Sequence, residues 1–210
     1  MPGAVPRLYL VTDRHATAGR PLVAVVRDAL AGTAGARGAV AVQLREKDLG
    51  GRDLATLARE LREVTRAAGA GLYINDRIDV ALAVDADGVH LGGRSLGPAD
   101  VARVAPGLAV ALSTHTRAEV EAAAQSPNVR FAVFGPIWDT PSKRPYGPPL
   151  GLDALRDAAT VGLPLVALGG VTAARVAACL AAGAAGVACI RAVSEAADPA
   201  AALRALLAAP

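Results

Sequence analysis

Val40-Ala41-Val42-Gln43-Leu44-Arg45 is a short run of continuous apolar residues that closes on long polar side chains. Seven other runs share its form: Leu8-Tyr9-Leu10-Val11-Thr12, Gly71-Leu72-Tyr73-Ile74-Asn75-Asp76, Gly88-Val89-His90-Leu91-Gly92, Ala109-Val110-Ala111-Leu112-Ser113-Thr114, Phe131-Ala132-Val133-Phe134-Gly135, Pro164-Leu165-Val166-Ala167-Leu168-Gly169-Gly170 and Gly186-Val187-Ala188-Cys189-Ile190. A strand with one wet face alternates apolar and polar residues; a parallel strand covered on both faces does not. Between the runs lie Ala/Leu/Arg stretches with helical spacing, such as Asp53 to Ala68 and Ala173 to Ala182. Eight strands alternating with helices in 210 residues predict an α/β protein, a (β/α)8 TIM barrel forming a single domain over residues 1–210. In that architecture the C-terminal strand ends carry the chemistry, so the polar tails of the runs name the candidates.

Composition narrows the function. Lys and Arg number 22 against 19 Asp and Glu, a net charge of +3, and the arginines are scattered. A nucleic-acid surface needs a concentrated basic face, so no nucleic-acid partner is expected. The most apolar stretch, Ala158 to Ala174, is broken by Gly162, Pro164, Gly169 and Gly170 and reads as loop and strand rather than a membrane span. Residues 1–7 lack the basic-then-apolar order of a signal peptide, and a cytoplasmic location is expected. Cys179 and Cys189 match no metal or redox spacing and read as buried, inert thiols.

The strand ends supply the candidates in order. The first run leads into Thr12-Asp13-Arg14-His15, a polar turn before a helix over Pro21 to Ala31 that Gly32 stops. Gln43, Arg45 and Lys47 share one face while the second strand lasts, with Glu46 and Asp48 on the other. Three long polar groups facing inward are costly unless something anionic or polar occupies the barrel mouth. Asn75 or Asp76 can cap a short helix over Ile78 to Val84, and Asp76 can equally hold a divalent cation. His90 lies within the fourth strand, before Gly92-Gly93-Arg94-Ser95. Thr116 caps a helix from Arg117, with Glu119 at its third position. His115 has no such structural task, and an imidazole at the catalytic rim is the expected general acid/base.

After the sixth strand, residues 136–149 form a long loop containing Trp138, Thr140, Ser142, Lys143, Arg144 and Tyr146. Long structured loops in small domains are commonly lids, and Thr140, Ser142 and Lys143 are expected to close over a phosphate or carboxylate. Gly169 and Gly170 end the seventh strand, and the eighth runs into Arg191. Phosphate binding after strands seven and eight is common in this barrel class, which makes all three candidates for an anion clamp.

Taken in order, Tyr9-Leu10-Val11-Thr12-Asp13, Gln43-Leu44-Arg45-Glu46-Lys47, Asn75-Asp76-Arg77, Ala86-Asp87-Gly88-Val89-His90-Leu91-Gly92, Ser113-Thr114-His115, Phe134-Gly135-Pro136-Ile137 with Thr140-Pro141-Ser142-Lys143, and Leu168-Gly169-Gly170-Val171 resemble the thiamine phosphate synthase and thiazole tautomerase superfamily. For a synthase, which joins a pyrimidine pyrophosphate to a thiazole phosphate and releases pyrophosphate, the resemblance implies that Gln43, Arg45 and Lys47 bind pyrophosphate. Asn75 then serves the pyrimidine side and Asp76 holds Mg²⁺. A second Mg²⁺-binding aspartate belongs to a Gly-Gln-x-Asp pattern, but here the stretch is Gly92-Gly93-Arg94-Ser95, and Arg191 stands where a serine is usual. The tautomerase branch commonly has serine at the position of Ser95. It moves a proton from one carbon of a thiazole carboxylate phosphate to another, without metal, through a histidine that corresponds to His115. His90 and Asp76 lean towards the synthase pattern. The expectation is therefore a thiazole tautomerase with no cofactor, a small thiazole phosphate as its substrate, and a homodimer by resemblance alone. The alternatives are a Mg²⁺-dependent thiamine phosphate synthase, and a non-catalytic barrel that binds thiamine intermediates as a regulator.

Overall fold

A computed structural model describes residues 5–33, 36–140, 144 and 147–208. Its strands are β1 (Leu8–Val11), β2 (Val40–Leu44), β3 (Gly71–Asn75), β4 (Gly88–Leu91), β5 (Ala109–Thr114), β6 (Val129–Phe134), β7 (Leu165–Leu168) and β8 (Gly186–Cys189). All pair in parallel, each with its neighbours in sequence, and β1 closes on β8. The helices are α1 (Leu22–Ala31), α2 (Gly51–Ala68), α3 (Ile78–Ala83), α4 (Pro98–Val104), α5 (Arg117–Ala124), α6 (Gly151–Ala159), α7 (Ala173–Ala181), the single turn α8 (Arg191–Ser194) and α9 (Pro199–Ala208). This is the (β/α)8 barrel expected from the eight runs.

Two apolar layers account for the continuous hydrophobicity of the strands. Val40, Val42 and Leu44 of β2 pack outward with helix residues such as Val26, Leu54 and Leu61. Ala41 faces inward, in a cluster with Tyr9, Tyr73, Phe131, Val133 and Val166. Tyr9, Tyr73 and Phe131 meet edge to face, with ring centroids 5.3 to 5.7 Å apart, and plug the barrel. Gly88 makes room for them, since a Cβ there would lie 2.3 Å from the Tyr73 ring and 2.6 Å from the Ala109 carbonyl oxygen.

Several local expectations need correction. β2 ends at Leu44, so Arg45 and Lys47 stand on the loop beyond it rather than on a strand face. β8 ends at Cys189, and Arg191 opens α8 instead of prolonging the strand. Neither Asn75 nor Asp76 caps α3, whose N-cap is Arg77 with no side-chain cap. Gly32 does end α1, but in right-handed geometry; glycine is required because a Cβ would lie 2.5 Å from the Ala200 carbonyl of α9. The capping box of Thr116 and Glu119 forms as expected. No helix among the described residues is long and apolar enough to cross a membrane.

Candidate active site

The C-terminal strand ends gather most of the candidates on one rim. Gln43 is buried inside the barrel at 2% exposure. Burial raises the Tyr9 phenol far above its ordinary pKa and nearby Tyr73 adds to this, while the adjacent Gln43 amide opposes it. Yet Gln43 Nε2 reaches no partner in hydrogen-bond geometry. A buried donor left unmade costs about 1–3 kcal/mol, so a polar ligand atom in the mouth would be stabilised there. Beyond Gln43, Arg45 and Lys47 share a pocket of about 190 Å³ with Asp13, His15, Glu46 and Asp48.

Glu46 and Asp48 both reach across to Arg14 of the β1 loop. Asp48 receives Arg14 Nη2 at 2.6 Å and faces His15 Nε2 at 3.1 Å, and those hydrogen bonds, Arg14's first, hold its carboxyl well below the ordinary range. Glu46 turns under the β1 loop and is buried.

His90 occupies the barrel interior rather than its rim, at 4% exposure. Its Nδ1 lies 3.3 Å from the Tyr9 hydroxyl and its Nε2 2.8 Å from Ser113 Oγ. Burial pushes its pKa down to about 3; Asp76 opposes this, and Arg45 and Lys47 reinforce it. Those influences also place the carboxylate and both cations within electrostatic reach of one interior imidazole.

Asp76, left-handed at φ +61°, takes the Asn75 amide at 2.8 Å on one carboxylate oxygen and the Ser95 hydroxyl on the other. Ser95 Oγ in turn accepts the Gly92 amide at 2.7 Å. Both carboxylate oxygens of Asp76 are thus engaged by side chains, and the position where the resemblance implies a second carboxylate presents the Ser95 hydroxyl. Among the described residues no group of three or more His, Cys, Asp or Glu is arranged to hold a metal ion. Mg²⁺ sites usually combine one or two carboxylates with substrate phosphates. The residues here do not fit a two-carboxylate site.

His115 follows β5 and is exposed. Its Nδ1 lies 2.5 Å from the Gly135 carbonyl at the end of β6. A carbonyl only accepts, so Nδ1 carries the hydrogen and Nε2 of the neutral ring keeps its lone pair. The His115 backbone is tied to the Glu119 carboxylate, which also serves the capping box. These anchors fix the orientation of an exposed imidazole at the C-terminal end of β5.

At the far side, Gly169 and Gly170 are left-handed at φ +104° and +67°. Cβ atoms there would lie 2.6 Å from Pro136 and 2.8 Å from Trp138, so both glycines seat the β6–α6 loop. Trp138 in turn stacks under Arg175 at 4.8 Å, and Arg175 Nη1 donates to the Gly170 carbonyl at 2.6 Å. Gly170→Val is therefore expected to lower stability by about 1–3 kcal/mol through strain and overpacking. A thermal melt indistinguishable from the parent protein would contradict this packing role. Thr140 is half-buried in the same loop; Ser142 and Lys143 lie outside the described residues. Arg191 is exposed, and its Nε sits 3.2 Å from Glu195. Cys179 and Cys189 are buried, and burial raises their thiols to about 11 and 12.

Tyr9, Thr12, Glu46 and Ser113 also join this site. They lie within the strand-end motifs quoted above, but their contacts run across strands, so the local sequence assigns them no role.

The model of the family described as thiamine monophosphate synthase matches residues 8–193. A Geobacter sulfurreducens protein provisionally named thiamine-phosphate synthase is 50% identical over 206 residues, covering 96% of this chain and 92% of its own. The thiamine-phosphate synthase of Roseiflexus castenholzii is 44% identical over 202 residues, covering 95% and 86%. A solved thiamine phosphate pyrophosphorylase from Pyrococcus furiosus superposes with a TM-score of 0.85 at 33% identity, covering 96% of this chain and 94% of that one.

Proposed function

Since the chain belongs to the thiamine monophosphate synthase family, we propose that it acts on the phosphorylated thiazole of thiamine biosynthesis and isomerises its carboxylate form by proton transfer. The observation that carries this reading is the bare Nε2 of His115, fixed in its tautomer by the Gly135 carbonyl. The ring takes a proton from one carbon of the thiazole through Nε2 and, as imidazolium, returns it at another. One base on one face of the substrate suffices. Gln43, Arg45 and Lys47 serve the anionic groups from the β2 side, and the loop carrying Thr140, with Gly169 and Gly170, serves the phosphate from the β7 side. The Ser95 hydroxyl on Asp76 supports a reaction that needs no cation.

Coupling of a pyrimidine pyrophosphate to the thiazole phosphate is the second reading. The relatives' names support it over isomerisation, because proteins 44–50% identical are named thiamine-phosphate synthase. No step of that reaction is derived through Mg²⁺, whose two-carboxylate site these residues do not form. Assay of the purified protein with each substrate set, with Mg²⁺ and with EDTA, separates the readings. Thiazole isomerisation unaffected by EDTA is the expected result. Mg²⁺-dependent release of pyrophosphate without isomerisation would establish coupling instead, and neither activity would leave the regulatory barrel.

A further inference from the structure

The buried carboxylate of Glu46 has no part in the proton transfer, yet it is among the most fully hydrogen-bonded side chains of the rim. Its side chain is only 2% exposed. Oε1 accepts the Thr12 hydroxyl at 2.7 Å, the Arg14 amide lies 3.1 and 3.2 Å from its two oxygens, and Arg14 Nη1 reaches Oε2 at 3.3 Å. The Thr12 hydroxyl also accepts the Arg45 backbone amide at 2.9 Å. Proton directions in this chain are therefore fixed: Arg45 N–H gives to Thr12, and Thr12 gives to Glu46.

Burying a carboxylate is costly unless its lone pairs are met, and here Thr12 and Arg14 of the β1 loop meet them. The result is a tie between two loops that secondary structure does not join beyond the β1–β2 ladder, which ends at the Val11 and Gln43 pair. Glu46 lies between Arg45 and Lys47. Anchoring the backbone at 45 and the side chain at 46 limits where both flanking cations can point. Both line the same pocket and both act on His90.

We propose that Thr12 and Glu46 are positioning residues that hold the Arg45–Lys47 arm in its anion-binding geometry. This rests on the reading of Arg45 and Lys47 as the anion-binding cations. The electrostatic alternative has the opposite sign, which makes the inference testable. Removing a negative charge beside two cations would by Coulomb attraction alone tighten anion binding. Loss of a positioning tie weakens it.

The probe is inorganic pyrophosphate, titrated calorimetrically at fixed ionic strength, with thermal melts to confirm folding. Thr12→Val and Glu46→Gln are expected to weaken binding by tenfold or more, whereas Thr12→Ser, which keeps the hydroxyl, binds as the parent protein does. With the thiazole substrate the same variants should raise KM more than they lower kcat. If Thr12→Val does not fold, Glu46→Gln, which keeps the shape, decides. Binding by Glu46→Gln equal to or tighter than the parent would overturn the positioning role. Arg45→Ala and Lys47→Ala distinguish the two levels: if neither weakens pyrophosphate binding, the anion-arm reading itself fails.

Discussion

His115→Gln is expected to lower kcat for thiazole isomerisation by about 10²–10⁴-fold, with a smaller change in KM, the usual contribution of a general acid/base. The amide can occupy the space of the imidazole and donate to the Gly135 carbonyl, but it cannot take and return a proton. The geometry that makes the effect specific is rigid. Gly135 packs so closely that a Cβ there would lie 2.1 Å from the Leu168 carbonyl oxygen, and its amide donates to Thr114 at 3.3 Å. The carbonyl that sets the tautomer is thus held by β5 and β7 together. Steady-state rates with a single-turnover check that chemistry is rate-limiting are the measurement. Wild-type kcat in His115→Gln under those conditions would remove the proposed base. His90→Gln should change kcat far less, because His90 lies inside the barrel with both ring nitrogens facing protein groups.

His90 should instead govern how stability responds to acid. An unfolded chain protonates its imidazole near pH 6.5, whereas burial in the native barrel holds His90 neutral down to about 3. Between those values the unfolded state binds a proton that the folded state refuses. Stability is therefore lost as pH falls from about 6.5 to about 3, at roughly 1.4 kcal/mol per pH unit, or roughly 4–5 kcal/mol in all. Below that window both states are protonated and this contribution no longer changes. Carboxylates add their own acid response, so the test is a difference. Urea unfolding at pH 7, 5.5 and 4 should show a shallower loss of stability for His90→Gln than for the parent protein, by about one proton. The variant should also be less stable at pH 7, because it disrupts the Tyr9–His90–Ser113 line. Equal pH slopes in the two proteins would overturn the assignment.

Both predictions concern histidines that the sequence places at similar strand ends, and the difference between them shows where sequence reading stops. The eight strands are legible because a parallel strand covered on both faces must be apolar throughout, whatever its neighbours. Their polar tails then mark the rim, and Gln43, Arg45, Lys47, Asn75, Asp76 and His115 do gather there. The Thr116 capping box is equally local, running only from Thr116 to Glu119, and the sequence alone suffices to identify it.

What only barrel closure decides is which groups meet. His90 becomes a buried neutral imidazole because Tyr9 and Ser113, 81 and 23 residues away, enclose it. The His115 tautomer depends on a carbonyl 20 residues on, and Glu46 is held from a loop more than 30 residues earlier. Gly170 reads as a phosphate cradle from the sequence, and only the closed barrel shows that its missing Cβ also makes room for Trp138. The physical reason is the range of each effect. Hydrophobic periodicity and capping act within a few residues and are written in the order of the chain. Hydrogen-bond partners, burial and the pKa shifts that follow depend on which strand ends the closed sheet brings side by side.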